Sequence, residues 1–328
     1  MFSQGGPVIA TGSQSLGESQ DDGGHTVIQL TENFRLNPDL GEFVATIYSR
    51  QFKPQKAQSR SLAPKLTGIV HMSEANKGTH DLGVNRNVLR TVQVFLLGLS
   101  DVMLRRPQSV LKPPRFSGLK MPIAEMEDSP TDPNHQPVSL SLLRLRTWSS
   151  TVGQQFGYET HVHGEAALTA SLVAALRYCT PDDDIFVATP HRVQREAVKT
   201  ALARLKRPDQ PLEDRFERLG VGEQNGYLQN VTVDTVERLQ GSEASFVICL
   251  FSLPELHSAD LCFLLGRRRL NVAISRAKTL CILITSTQVL CPPVSVFANE
   301  ETGKGYAFLK AYEDRAWSYD VSVDVGAL

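Results

Sequence analysis

The runs FVICLF (residues 246–251) and LCILIT (residues 280–285) contain no charged side chain. A strand with one wet face alternates apolar and polar residues, whereas a short unbroken run of Val, Ile, Leu, Phe and Cys fits a strand buried on both faces. Parallel sheets covered by helices meet that condition. Working outward, the pattern predicts a strand over 138–145, a helix over 165–178, a strand over Ile185–Thr189, a helix over 191–205 and a strand over 231–233. A helix over 268–277 separates the two apolar runs. Strand and helix taking turns in this way define an α/β layer sandwich with a parallel sheet. The core of that domain is expected over residues 138–295.

The flanks read differently. Residues 1–24 are rich in Gly, Ser and Gln with an acidic end, too little apolar surface to order a chain, and are expected to form a flexible lead. A short strand over 26–30 precedes Thr31, a candidate cap, and Pro38 with Asp39 opens a helical stretch reaching about Tyr48. Residues 53–137 read as an insertion or linker with one helix, 88–103, followed by a loop with seven prolines between Pro107 and Pro137. A charged tail is expected over 296–328.

Composition limits the function classes. In 328 residues, 34 Lys and Arg face 35 Asp and Glu, so no global positive field marks a nucleic-acid binder, and any such binding must be local. The N-terminus lacks the basic and apolar regions of a secretion signal, and no apolar stretch approaches eighteen residues without a charge. An intracellular address, nuclear or cytoplasmic, and no membrane partner are the expectations. The five cysteines show no CxxC pair, which argues against a disulfide framework.

Four segments carry candidate chemistry. In LNVAISRAK (270–278), Arg276 lies in an otherwise apolar stretch, and a guanidinium's planar fork of donors suits a phosphate. Arg269 is seven residues earlier, two turns along a continuous helix, so both could face one anion. VDTVERLQGSEASFVICL (233–250) places Asp234, Thr235, Gln240, Gly241 and Glu243 on the connection between two buried strands, where α/β folds hold ligands. VATPHRVQ (187–194) ends a strand at Thr189 and opens a helix whose first N–H groups favour an anion. TENFRLNPDL (31–40) sets Phe34 beside Arg35 near a helix start. Against these stand ordinary alternatives: solvated arginines, a helix stop at Gly241, capping by Thr189 and a core Phe34. His161, His163 and Glu165 form an HxHxE string with no second ligand pair at metal spacing, so no metal site is assigned.

The first two segments resemble the last two motifs of superfamily-one helicases, in the branch of the Upf-type (nonsense-decay) and Dna2-like enzymes. The resemblance covers about residues 30–48 and 138–290 and implies the second RecA-like domain of the P-loop NTPase fold. It further implies that Arg276 and Arg35 reach the γ-phosphate of ATP as catalytic groups, and that Phe34 stacks on adenine. Gln240, Gly241, Glu243 and Arg269 would belong to the nucleotide side. Thr189, Arg192, Gln194 and Thr235 would lie on the track of single-stranded DNA or RNA, with translocation 5′ to 3′.

A phosphate-binding loop, G-x-x-x-x-G-K-[ST], is absent. The Gly303-Lys304 pair has Ala298 and Gly305 where the first glycine and the hydroxyl belong. No apolar strand ends in the paired Asp-Glu that holds magnesium. ATP with Mg2+ is therefore expected to sit mainly on a first RecA-like half, in the same full-length polypeptide or in trans, and this chain alone is expected to be inactive. The alternatives are a non-enzymatic nucleic-acid-binding or adaptor module that keeps the fold, and, ranked last, a phosphotransferase with an unusual nucleotide loop.

Overall fold

The computed structural model describes residues 18–20, 26–28, 32–33, 36–46, 53–54, 61–75, 83–104, 139–151, 157–205, 228–239, 241–254 and 260–328. Pro38 has no N–H to leave unpaired and its fixed φ suits a first helical residue, so α1 (Pro38–Ala45) starts directly after Asn37. Three helices follow: α2 (Leu62–Thr67), α3 (Ile69–Ala75) and α4 (Arg86–Leu104). Then come β1 (Leu140–Trp148), α5 (Tyr158–Cys179), β2 (Ile185–Thr189), α6 (Arg192–Ala203) and β3 (Val231–Thr235). The remainder is β4 (Ala244–Phe251), α7 (Leu261–Leu264), α8 (Arg267–Ile274), β5 (Ala277–Thr285), α9 (Thr287–Leu290), α10 (Glu300–Arg315) and β6 (Trp317–Asp324).

The six strands form one sheet in the order β6-β1-β5-β4-β2-β3, with every neighbouring pair parallel. All C-terminal strand ends therefore share one edge and all N-terminal ends the other. Along β4, side chains alternate between two cores, Phe246, Ile248 and Leu250 on one face and Val247, Cys249 and Phe251 on the other. That is why the run shows no polar period: both of its faces are dry. The first core is closed by α2 to α6 and the second by α1, α7, α8, α9 and α10. This is an α/β, RecA-like arrangement.

Two flanking segments belong to the fold more fully than their sequences suggest. Residues 62–104, expected to hold one helix in an insertion, carry three that seal one sheet face. Helix α4 buries Val88, Leu89, Val92, Phe95, Leu96, Leu99 and Met103 at helical spacing, and Phe95 stacks on Trp317 of β6 at 5.2 Å. Gly98 makes the approach possible, because a Cβ there would lie 2.9 Å from the Trp317 ring. Among the described residues, α4 alone is long and apolar enough to cross a membrane; half of that stretch is buried inside the fold.

Residues 296–328, expected as a tail, instead supply α10 and the edge strand β6. Tyr312 of α10 is fully buried, and its single hydroxyl hydrogen is shared between the carbonyls of Ser141 and Cys281, 3.0 Å away each. At the other end, Glu18–Gln20, read as part of the lead, pairs antiparallel with Thr26–Ile28. The proline-rich residues 107–137 lie outside the described residues, as do Tyr48 and Thr31.

Candidate functional site

At the C-terminal edge, β2 and β3 end side by side with Thr189 opposite Thr235. The Thr189 side chain is buried and donates to the carbonyl of Asp234 at 3.3 Å, so it does not cap α6. His191 is the cap residue, in a capping box with Gln194. Arg192 points to solvent in the first turn. Gln194, expected on an exposed track, is buried: its amide nitrogen donates to Glu165 at 2.7 Å and its oxygen accepts from the His191 N–H at 3.3 Å. Arg195 spans to Asp234 at 3.0 Å and locks α6 onto the end of β3.

Residues 236–243 lead from that edge back to the start of β4, alongside α8, which runs between the same two edges. Arg269, in the first turn of α8, donates to the Glu237 carboxylate at 2.9 Å and to the Phe263 carbonyl at 2.6 Å. Its guanidinium also lies 3.5 Å over the Phe263 ring, which stacks on His191. Partial burial works against ionisation of Glu237, but the bond from Arg269 holds its carboxyl below the usual range.

Arg276 is at the opposite end. The helix stops at Ile274 because β5 must begin at Ala277, so the two-turn spacing does not put both arginines on one helical face. Arg276 turns back and donates to Val272 O at 3.0 Å, Ser275 Oγ at 3.2 Å and Ser242 O at 3.3 Å. The two arginines thus grip opposite ends of the 236–243 connection and do not converge. Beside Ser242, Gly241 has φ 84°, and a Cβ added there would meet nothing within 4 Å, which leaves open space along that backbone. Glu243 pairs with Lys278 across β4 and β5 at 3.8 Å.

The N-terminal edge also holds Asn37. Its side-chain amide donates to Ser139 Oγ at 3.1 Å and to the Thr279 carbonyl at 3.2 Å, and its backbone N–H donates to the Lys278 carbonyl at 3.2 Å. Asp39 accepts from the Ser139 N–H at 2.6 Å. These bonds stitch the start of α1 to the starts of β1 and β5, two residues along the chain from Arg276. Phe34, Arg35 and Gln240 lie outside the described residues. In sequence, Pro38 and Asp39 mark a helix start and Asn37 stands out for nothing, because a bond across more than a hundred residues leaves no local signal.

A second polar cluster was also missed. Helix α5 begins at Tyr158, seven residues earlier than its apolar pattern predicts, so His161, His163 and Glu165 are helical. His163 is exposed, while His161 and Glu165 are buried among hydrogen bonds. Burial raises the Glu165 carboxyl to about 7, partly opposed by bonds from Ser252 and Gln194. Among the described residues, no three His, Cys, Asp or Glu side chains come together as a metal cage. Nor does Gly303-Lys304 form a loop: both lie inside α10, with Lys304 paired to Glu300 at 2.7 Å. The fit to a Mg2+-nucleotide is therefore partial. The described residues offer guanidinium, open glycine backbone and a carboxylate at one edge, and no magnesium cage.

A wholly parallel six-stranded sheet covered by helices on both faces is an α/β, RecA-like arrangement. A family model described as an AAA domain matches residues 119–288, which is 170 of 328 residues, and the chain belongs to that family. It is a helicase-type P-loop NTPase region, of the kind found in the C-terminal part of superfamily-one helicases, a class that works with nucleotide, Mg2+ and nucleic acid. No curated protein matches the chain.

Proposed function

We propose that this chain is the second RecA-like half of an ATP-driven, single-strand translocating helicase of Upf-like type, acting with a first half that supplies the phosphate loop and the magnesium ligands. The observation that carries the reading is the meeting of Arg276, Ser242, Gly241 and Glu243 at one sheet edge, with Asn37 fastened to Lys278 beside them. Asn37 belongs to the same 31–40 segment as Arg35 in sequence and is itself bonded at this edge.

In this reading Arg276 supplies positive charge to the terminal phosphoryl group as negative charge spreads over it. The open backbone at Gly241 lets a sugar approach, and Glu243 accepts from its hydroxyl. A bound nucleotide with Mg2+ supplies the phosphoryl chemistry. At the opposite edge, Arg192 and the first turn of α6 face strand phosphates, with Thr189 and Thr235 at the adjoining strand ends.

The test compares this chain with the polypeptide that joins it to a first half. The chain alone is expected to bind single-stranded oligonucleotide without hydrolysing ATP. The joined enzyme is expected to hydrolyse ATP on adding the strand, and Arg276→Ala to lower that rate by about 10³-fold or more. Rapid turnover by the chain alone, abolished by Arg276→Ala, would refute the missing-half reading. Single-strand binding indifferent to nucleotide in every form of the protein would favour an adaptor that keeps the fold.

A further inference from the structure

The C-terminal edge contains a continuous line of hydrogen bonds, of which Gln194 alone is a residue that the helicase resemblance implicates. Thr147 Oγ1, at the end of β1, lies 2.8 Å from His161 Nδ1. His161 Nε2 lies 2.9 Å from Ser252 Oγ, just past β4, and Ser252 Oγ is 2.6 Å from Glu165 Oε1. Glu165 Oε2 accepts from the Gln194 amide at 2.7 Å, and the Gln194 oxygen accepts from the His191 N–H at 3.3 Å. His161, Glu165, Gln194 and Ser252 are each at most 1% exposed. Gly164 allows the close fit, since a Cβ there would lie 2.7 Å from Thr147 Cγ2.

Donor and acceptor arithmetic gives this line a direction. An ionised carboxylate only accepts. With Glu165 ionised, Ser252 must donate to it and accept from His161 Nε2–H, which leaves His161 Nδ1 to accept from the Thr147 hydroxyl. One added proton on Glu165 reverses every step. Glu165 then donates to Ser252, Ser252 donates to His161 Nε2, and His161 carries its hydrogen on Nδ1 and donates to Thr147. Gln194 cannot reverse, because its oxygen is held by the His191 N–H. Its amide must always face an oxygen of residue 165, and only the charge behind that bond changes.

We propose that Glu165 is a positioning residue with two proton states, which sets the tautomer of His161 on one side and, through Gln194, the hold on the first turn of α6 on the other. The link to strand binding rests on the function proposed above; the relay itself does not. Among the described residues, Tyr158 on α5 interacts electrostatically with Glu165 and with Asp260 before α7; His161 on α5 is linked to Glu165 through Ser252, and His191 at the start of α6, itself beside Asp260, Arg269 and Glu237, through Gln194. The ends of β1 and β4 contribute the neutral Thr147 and Ser252. The placement of the Glu165 carboxyl near neutrality makes both states accessible at ordinary pH.

Nitrogen-15 spectra of histidine-labelled protein between pH 5.5 and 8.5 decide the matter. The expected result is hydrogen on Nε2 of His161 at high pH and on Nδ1 at low pH. Glu165→Gln should fix the Nδ1–H form at every pH, because its amide must present oxygen to Gln194 and nitrogen to Ser252. Should that variant fold poorly, Ser252→Ala tests the same link and should abolish the switch. Gln194→Ala should keep the switch, speed exchange of the His191 amide about tenfold, and weaken single-stranded oligonucleotide binding. An unchanged tautomer in the wild type, conversion to imidazolium, or a switch that survives Glu165→Gln overturns the proposal. If the wild type binds no oligonucleotide, the nucleic-acid reading of this edge fails, and the tautomer result still decides the relay.

Discussion

Replacing Glu165 with glutamine should remove a loss of stability that the wild type undergoes as pH rises, whatever offset the exchange of a buried, doubly hydrogen-bonded group introduces. The folded-state carboxyl sits at about 7 against an unperturbed 4.5, because burial outweighs the bonds from Ser252 and Gln194. Between those values the folded protein keeps a proton that the unfolded chain has released, so stability falls as pH rises through the window. A displacement from 4.5 to about 7, at about 1.4 kcal/mol per pH unit, amounts to about 3 kcal/mol, fully developed above pH 7 and absent below 4.5. Glutamine does not titrate, so the stability difference between variant and wild type should change by about 3 kcal/mol in the variant's favour from pH 4.5 to 8.5. His191, lowered chiefly by burial, contributes the opposite slope, losing stability as pH falls. It is present in both proteins and cancels in the difference. Urea unfolding at half-unit pH intervals measures this, and parallel curves for the two proteins would refute the reasoning.

Two glycines in α10 should respond with opposite signs. A Cβ at Gly305 would lie 1.5 Å from the Leu265 carbonyl oxygen, so Gly305→Ala must push α10 off the start of α8 and should destabilise by at least about 1–3 kcal/mol. A Cβ at Gly303 meets nothing within 4 Å, so Gly303→Ala should stabilise by about 0.5–1 kcal/mol through helix propensity alone. Thermal melts of the pair check both, and equal shifts would contradict the packing. At the C-terminal edge, Arg192→Ala should reduce the slope of log affinity against log salt for a single-stranded oligonucleotide by about 0.7. A slope identical to that of the wild type would remove Arg192 from the phosphate-facing surface.

The elements best read from sequence were those whose environment is uniform. Ile185–Thr189 matches its expected span, and the runs at 246–251 and 280–285 lie inside β4 and β5. The start of α5 was missed because YETHVHGE is polar and carries no apolar stripe. His161 and Glu165 are buried there because Thr147, Ser252 and Gln194, distant in sequence, satisfy them. Residues 317–324 alternate apolar and polar as a strand with one wet face does, a signal that the reading of 296–328 as a charged tail passes over; β6 is the edge strand of the sheet. The role of Gln194 was misplaced for a related reason: a polar side chain at a helix start looks solvent-facing until a buried acceptor is found beneath it.

Composition and hydrophobic run length by themselves determined that this chain forms a helix-covered parallel sheet, because only strands dry on both faces can dispense with polar alternation. Motif spacing further located the arginine-bearing connections. Tertiary structure alone decided that Arg269 and Arg276 take opposite ends of one connection, that residues 62–104 and 300–324 complete the domain, and that a buried carboxylate organises the C-terminal edge. Each of those outcomes depends on where a helix ends or which distant group answers a polar atom, and local sequence carries no record of either.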